Sequence, residues 1–478
     1  MLFNTSTFFV FLVLTFLFYW KAAQYSKKTS QLILLIASYI FYGWWDWRFL
    51  ILIIVSSAAD FLIGRLLFNK QKAIPRKLLL LTSLFINLGI LFFFKYFNFF
   101  IDSFQALTGI DAENSWNTIN IILPVGISFY TFQTLSYTID IYRRRIQPTQ
   151  SALAFFTFVA FFPQLVAGPI ERAKHLIPQF EQKTAFSYKQ ATSGLKLMLW
   201  GLFKKMVIAD QLAKIVNIVY AQPEQYGSWT IILATFLFAY QIYCDFSGYS
   251  DIAIGAARLF GIELMTNFKT PYLSKSFREF WRRWHISLST WFRDYVYIPL
   301  GGNRGNSVLW VRNIMITFIV SGLWHGANVT FLIWGALHGL LLVAERYLFS
   351  TNNPLNKFKQ FFGWLTTYIV IGLSWLPFRA ESFQYLQTLA KNISHSTNES
   401  QLLQFIYNAD HFTDAGKVLL FIFPVFLFSE FLMKEKSFDE FISGFSRPIR
   451  IGVYYLIIIV ILFFGVLNSA PEFIYFQF

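Results

Sequence analysis

"SGLWHGANVTFLIWGALHGLLLVAERY", residues 321–347, is apolar along most of its length yet carries His325 and His338. About 20 apolar residues in an α-helix cross the hydrocarbon core of a bilayer. Imidazole in that setting costs free energy unless it is paired or put to use. Whether the chain is a membrane protein, and what these histidines do there, are therefore linked questions.

Composition answers the first. The 478 residues are 56% hydrophobic, include 59 Phe, and are 14% charged. That charge content is about half of what a soluble domain carries. Mean hydropathy is +0.48, and a soluble protein of this size needs more polar surface to cover itself. The sequence predicts an all-α polytopic membrane protein with one membrane-embedded domain over 1–478 and no soluble domain attached. The single cysteine, Cys244, excludes an internal disulfide framework and a thiolate metal cage. The net charge of +15 reads as basic cytoplasmic loops rather than as a nucleic-acid surface. The opening "MLFNTSTFFVFLVLTFLFYW" lacks a basic n-region and a small-residue cleavage site, so it is expected to be a spanning helix.

Apolar stretches predict spans near 2–20, 31–46, 48–68, 78–99, 118–142, 206–222, 229–257, 311–325, 328–347, 361–378, 417–433 and 451–469. The stretch 151–170 contains Pro163, Gly168 and Pro169 and is expected to be kinked or re-entrant, with protein shielding its backbone. This amounts to roughly 11–13 crossings plus re-entrant and interfacial helices. Basic loops fall at 21–28, 69–77, 142–147, 172–205, 269–312, 346–359 and 433–450; acidic or neutral ones fall at 102–116, 221–229 and 379–416. The two kinds alternate if 151–170 does not fully cross. Both termini are then expected outside, with the basic loops in the cytoplasm. No repeat of fixed period is visible.

Polar residues inside apolar runs are the functional candidates. On one straight helix, His325 and His338 would be separated by roughly 20 Å of rise and could not act on one atom. "HGAN" (325–328), however, reads as a break between two helices, placing His325 at a helix end beside Trp324 and Asn328. Gly322/Gly326 and Gly335/Gly339 form small-xxx-small pairs that admit close helix approach. His325 is either a buried histidine satisfied by a backbone carbonyl or a reactive one, and His338 reads as a structural hydrogen-bonder. The stretch "SFREFWRRWHISLSTWFRDYVYIPLGG" (276–302) has Phe277, Phe280, Trp281, Trp284, Leu288, Trp291, Phe292 and Tyr295 at amphipathic spacing. Arg282, Arg283 and Arg293 lie opposite, as on an interfacial helix, with His285 on the flank. In "YQIYCDFSGYSDIAIG" (240–255), Asp245 is expected to pair with an arginine in the bundle or to line a water path. Broken helices are expected in 123–145 and 161–175. No P-loop, H-E-x-x-H or G-x-S-x-G pattern is present, which counts against phosphoryl transfer and metallohydrolysis.

Together, "FPQLVAGPIER", "FWRRWHISLSTW", "LWHGAN" and the terminal "SAPEFIYFQF" resemble the membrane-bound O-acyltransferases, in particular the bacterial branch serving alginate and peptidoglycan O-acetylation and teichoic-acid D-alanylation. The resemblance covers nearly the whole chain. It implies that the catalytic histidine is His325 and that His285 is the second active-site position. It also implies a cytoplasmic acyl thioester donor, acetyl-CoA or a carrier thioester, with no bound cofactor or metal. The implied acceptor is an extracytoplasmic polysaccharide, reached through an exported partner of the SGNH type, and the implied location is the bacterial inner membrane. Acyl transfer needs a base for the hydroxyl proton, and neutral imidazole suits that near pH 7. It also needs donors or positive charge for the developing oxyanion, which His285, Arg282 or Arg283 are placed to supply. Trp324, Asn328 and Asp245 are the further candidates for substrate binding. For His285 and His325 to act together, the 276–302 segment must dip into the bundle. A transporter of acyl groups is the alternative, since it too would carry intramembrane His and Asp; the inverted repeats that such a protein predicts are not visible.

Overall fold

The computed structural model describes residues 1–69, 74–108, 121–166, 168–183, 185–348, 356–395, 407–408, 411–466 and 473–474. Most of the loop expected at 102–116, parts of those at 69–77, 346–359 and 379–416, and the terminal block apart from Phe473 and Ile474 lie outside the described residues. The chain is all-α: among the described residues the only β pairing joins Tyr407–Asn408 to His411–Phe412. Nine helical runs among these residues are long and apolar enough to cross a membrane. One of them, Lys27–Phe68, has 42 residues. At 1.5 Å per residue it measures roughly 60 Å, twice the hydrocarbon thickness. It divides at a short 3-10 turn, Trp47–Phe49, where the Asp46 carboxylate accepts from the Arg48 N–H at 3.0 Å. It therefore provides two crossings.

The chain forms two compact units. The first, Met1–Gly194 with Ala256–Met265, begins with α1 (Ser6–Tyr25), α2 (Lys27–Asp46) and α3 (Leu50–Phe68). It continues through α4 (Arg76–Leu91), α5 (Phe97–Thr108), α6 (Ile127–Tyr142), α7 (Ala152–Ala160), α8 (Phe162–Leu165) and α9 (Ala173–Glu181). The expected span at 118–142 is a shorter helix, α6, and almost every one of its residues is buried. It is an internal element, which hydropathy alone does not separate from a lipid-facing one. Its partners hold a buried polar knot. Asn87 Nδ2 donates to Asp60 Oδ2 at 2.8 Å, Thr138 donates to Oδ1 at 3.0 Å, and Ser83 closes on the same oxygen. The break expected in 151–170 is present between α7 and α8. There Phe162 N–H donates to Ser38 Oγ at 3.1 Å, and Gln164 Nε2 donates to the Phe158 carbonyl. Protein thus satisfies the freed backbone, as a membrane interior requires.

The second unit, Leu195–Gly255 with Thr266–Phe478, takes in most of α10 (Tyr188–Leu202), α11 (Asp210–Ala221) and α12 (Ser228–Leu259). It then holds α13 (Phe277–Arg283), α14 (Ile286–Phe292), α15 (Ser307–His325), α16 (Val329–Leu348), α17 (Lys357–Arg379) and α18 (Phe383–His395). The remaining helices are α19 (Asp414–Lys417), α20 (Phe423–Met433), α21 (Phe438–Ser443) and α22 (Arg447–Phe464). Where a span at 206–222 and a basic loop ending at Lys205 are expected, the chain instead stays helical from α10 through a π-helical stretch, Phe203–Ala209, into α11. Lys204 and Lys205 are inside the protein, paired with carboxylates, so hydropathy misplaces them as loop charges.

α15 and α16 form the hairpin that the 321–347 stretch predicts, with the break at 326–328. A Cβ on Gly335 would fall 2.3 Å from the Phe318 carbonyl oxygen, and one on Gly322 would fall 2.2 Å from that of Phe331. The two helices are therefore in backbone contact, the close approach that small residues permit. Gly335→Ala is expected to cost about 2–3 kcal/mol through overpacking. Gly89→Ala, at a site with nothing within 4 Å, is expected to cost nothing. Unfolding of the two variants in detergent, followed by thermal scanning, measures the difference.

Candidate active site

The 276–302 segment is not the single interfacial helix that its periodicity predicts. It breaks at Trp284 and His285 into α13 and α14, and His285 takes a left-handed conformation (φ 41°, ψ 54°). That conformation costs a non-glycine residue about 1–2 kcal/mol. The preceding strap, 266–270, offsets the cost by meeting the polar groups that the break exposes. Lys269 N–H donates to the Arg283 carbonyl at 3.0 Å, and Ile286 N–H donates to the Asn267 carbonyl at 2.9 Å. Asn267 Oδ1 accepts the Ser287 hydroxyl at 2.6 Å, and its amide donates to Ser250 at 3.1 Å. The break turns the His285 ring inward. It lies edge-on to Phe246 at 4.6 Å and parallel to Phe268 at 6.3 Å, and it is 0% exposed. This is the inward dip that joint action with His325 requires. Burial pushes the His285 pKa down from 6.5 to about 3, so the ring is neutral at physiological pH.

His325 is the last residue of α15 and is 3% exposed. Its ring sits edge-on to Trp324 and to Trp334, each at 5.0 Å, and to Phe378 at 5.4 Å. Trp324 in turn lies 6.1 Å from His285. One indole therefore separates the two predicted catalytic rings. On the other side, Trp334 lies 4.7 Å from His338, whose Nε2 shares a hydrogen bond with Ser374 Oγ at 3.1 Å. The three histidines alternate with Trp324 and Trp334. The indole N–H groups of Trp281, Trp334 and Trp375 and the Nδ1 of His338 have no hydrogen-bond partner among the described residues; Trp334 packs directly on the His325 ring, and Trp281, Trp375 and His338 pack on Trp334. Buried donors are rarely left open, and here three indoles of one packed aromatic cluster leave theirs so.

A cavity of about 400 Å³ opens against this cluster. Trp281, Arg282, Ile286 and Ser321 are among its lining residues. Trp281 joins the two, since it also packs on Trp334 at 5.8 Å and on His338 at 5.1 Å. Arg278, Arg282 and Arg293 all face the cavity. Arg278 has Glu345 within 3.9 Å and Arg293 has Asp294 at 2.8 Å, whereas Arg282 has no carboxylate partner among the described residues. Arg283 points elsewhere, held by Glu279 at 2.6 Å and Glu435 at 2.8 Å. Asn328 starts α16: its Oδ1 accepts from Thr330 N–H and its amide donates to the Glu381 carbonyl at 2.7 Å. Asp245 does pair inside the bundle, but with a lysine rather than the expected arginine. Lys205 Nζ lies 2.8 Å from Asp245 and 2.7 Å from Asp210, and Asp245 also accepts the Ile474 N–H at 2.8 Å. Lys204 likewise pairs with Asp251 at 2.7 Å. Neither the lysines nor Asn267 emerges from sequence reasoning. The lysines adjoin a basic run, and Asn267 has no apolar frame to mark it.

Residues 143–372, which include both histidines, the cavity lining and the lysine–aspartate pairs, match the model of the membrane-bound O-acyltransferase family. The chain is 42% identical over 393 residues to the probable alginate O-acetylase AlgI of Pseudomonas aeruginosa, covering 80% of this chain and 73% of that protein. It is 35% identical over 414 residues to the peptidoglycan O-acetyltransferase of Helicobacter pylori, covering 80% and 78%. It is 26% identical over 286 residues to the teichoic acid D-alanyltransferase of Bacillus subtilis, covering 56% and 71%.

The depressed His285 pKa has a consequence for stability. Between pH 6.5 and about 3 the unfolded chain takes up a proton that the folded chain refuses. Stability is therefore full above pH 6.5 and falls as the pH drops through that window. Thermal scans from pH 7 to pH 4 are expected to show a smaller loss of melting temperature for His285→Gln than for the wild type.

Proposed function

The chain belongs to the membrane-bound O-acyltransferase family, and from that premise we propose that this acyltransferase is an O-acetyltransferase of a bacterial cytoplasmic membrane. It moves acetyl from a cytoplasmic thioester, acetyl-CoA or a carrier-bound equivalent, toward hydroxyls of an extracytoplasmic polysaccharide. An exported SGNH-type protein completes delivery. The relatives named as O-acetylating proteins, at 35–42% identity, support acetyl over the D-alanyl group of the relative at 26%.

The observation that carries the reading is the set of open indole N–H groups in the aromatic cluster that holds His325, with Trp281 linking that cluster to the arginine-lined cavity. In this reading the thioester enters the cavity and Arg282 takes an anionic group of the donor. His325 accepts the proton of the attacking hydroxyl as its oxygen bonds to the thioester carbonyl carbon. The oxyanion that forms is met by N–H donors held in a dry interior, where they act most strongly. Collapse of the adduct breaks the carbon–sulfur bond, and the imidazolium returns the proton to the leaving thiolate. His285 stays neutral and braces Trp324 against the reactive ring. Arg283 and Asn328 serve the fold at their salt bridges and helix start, and Asp245 anchors the layer behind Phe246.

His325→Ala is expected to insert and purify as the wild type does and to lose acetyl-ester formation by about 10²–10⁴-fold, the contribution of one general base. Mass analysis of envelope glycans and single-turnover assays read this out, and persistent acetylation removes His325 from the reaction. Arg282→Ala is expected to raise KM for the thioester by about tenfold with kcat little changed, since it removes one charge-assisted hydrogen bond. An unchanged KM excludes the cavity as the donor site.

A further inference from the structure

Two adjoining cavities in the first unit share Ala23 and Lys183. The larger, about 610 Å³, is floored by Phe16, Trp20 and Phe186. The smaller, about 20 Å³, has a mixed lining whose polar part includes Lys27, Gln31 and Gln182. The pair is thus amphipathic along one line: an aromatic trough along α1, then a polar slot at the turn where α1 meets α2. Phe16 lies roughly 14 Å of helical rise before Tyr25, the end of α1 at the turn into Lys27, so the trough reaches into the hydrocarbon while the slot sits at the membrane surface. The polar end is cationic. Lys27 and Lys183 line it, with no carboxylate partner among the described residues, and Lys21 and Lys28 adjoin the same turn in the chain. The N-terminus of α2 adds its positive end. Gln31 is 7% exposed and faces the slot, and its amide nitrogen has no hydrogen-bond partner among the described residues.

We propose that this groove is a binding site for an anionic glycerophospholipid. One acyl chain lies on Phe16, Trp20 and Phe186. The phosphodiester meets Lys27 and Lys183, and an oxygen of the head group enters the slot to accept from the Gln31 amide. A slot this small admits one oxygen-bearing group and excludes a bulky trimethylammonium head, so the site selects phosphatidylglycerol over phosphatidylcholine. Phosphate contacts and chain contacts are both used, which separates this occupant from free phosphate.

Native mass spectrometry of the full-length protein in detergent, titrated with phosphatidylglycerol, phosphatidylcholine of the same chains, or inorganic phosphate, tests the assignment. Phosphatidylglycerol is expected to bind at least about tenfold more tightly than phosphatidylcholine. Lys27→Gln and Lys183→Gln are each expected to weaken it about fivefold, and Gln31→Leu is expected to weaken it while leaving the lysines in place. Lys183 is exposed, so Lys183→Gln alone decides the matter if the Lys27 or Gln31 variants do not fold. Equal binding of the two lipids, or an affinity unmoved by Lys183→Gln, overturns the proposal. Inorganic phosphate competing as well as the lipid also overturns it, in favour of a free-anion site.

Discussion

Everything in this protein follows from one constraint: inside a bilayer, a polar group must find its partner within the protein. The nine long apolar runs meet it by being helices. The places where the chain departs from simple helix are those where another residue meets it instead. Ser38 serves the break after Ala160, and Asn267 serves the break at His285. Asp60 is met by hydroxyls and an amide, while Asp245 and Asp251 are met by lysines. Removing one partner from such a pair leaves an uncompensated charge, which is why pairs of this kind are costly to break although modest in net worth.

The same constraint shapes the surroundings of the three histidines. Imidazole rings are tolerated here because aromatic edges and faces surround them, and those faces leave few routes for water. His285, His325 and His338 are spaced by Trp324 and Trp334, so each ring is packed against an indole. Fixed donors in a low-dielectric interior need little reorganisation when charge develops, the condition under which electrostatic stabilisation is most effective. The glycine contacts between α15 and α16 bring the backbones together, and this sets the ring of His325 against that of Trp334. Packing in the hairpin therefore sets the surroundings of His325 at its tip.

Charge distribution divides the labour. Arg278, Arg282 and Arg293 line a cavity that Trp281 also lines, and of the three only Arg282 has no carboxylate partner among the described residues. Lys204 and Lys205 are enclosed among aspartates of the second unit. In the first unit, lysines at the α1–α2 turn remain on the surface beside an aromatic trough. Cations thus stand in three settings (a cavity lining, an internal staple and a helix turn), and only their surroundings tell them apart.

By itself the sequence determined the class of protein, most of its crossings and the break at "HGAN", and it marked His285 and His325 as candidates, because those signals are local: run length, glycine spacing and an ionisable residue amid apolar ones. Tertiary structure decided the rest. α6 is internal because other helices cover it, and Lys205 is buried because Asp210 and Asp245 converge on it. An apolar periodicity that reads as one helix becomes two because Asn267, from outside that segment, stabilises the turn at His285. Periodicity records which face a residue prefers, while pairing energies depend on residues distant in the chain, and that is the physical limit of what the sequence alone conveys.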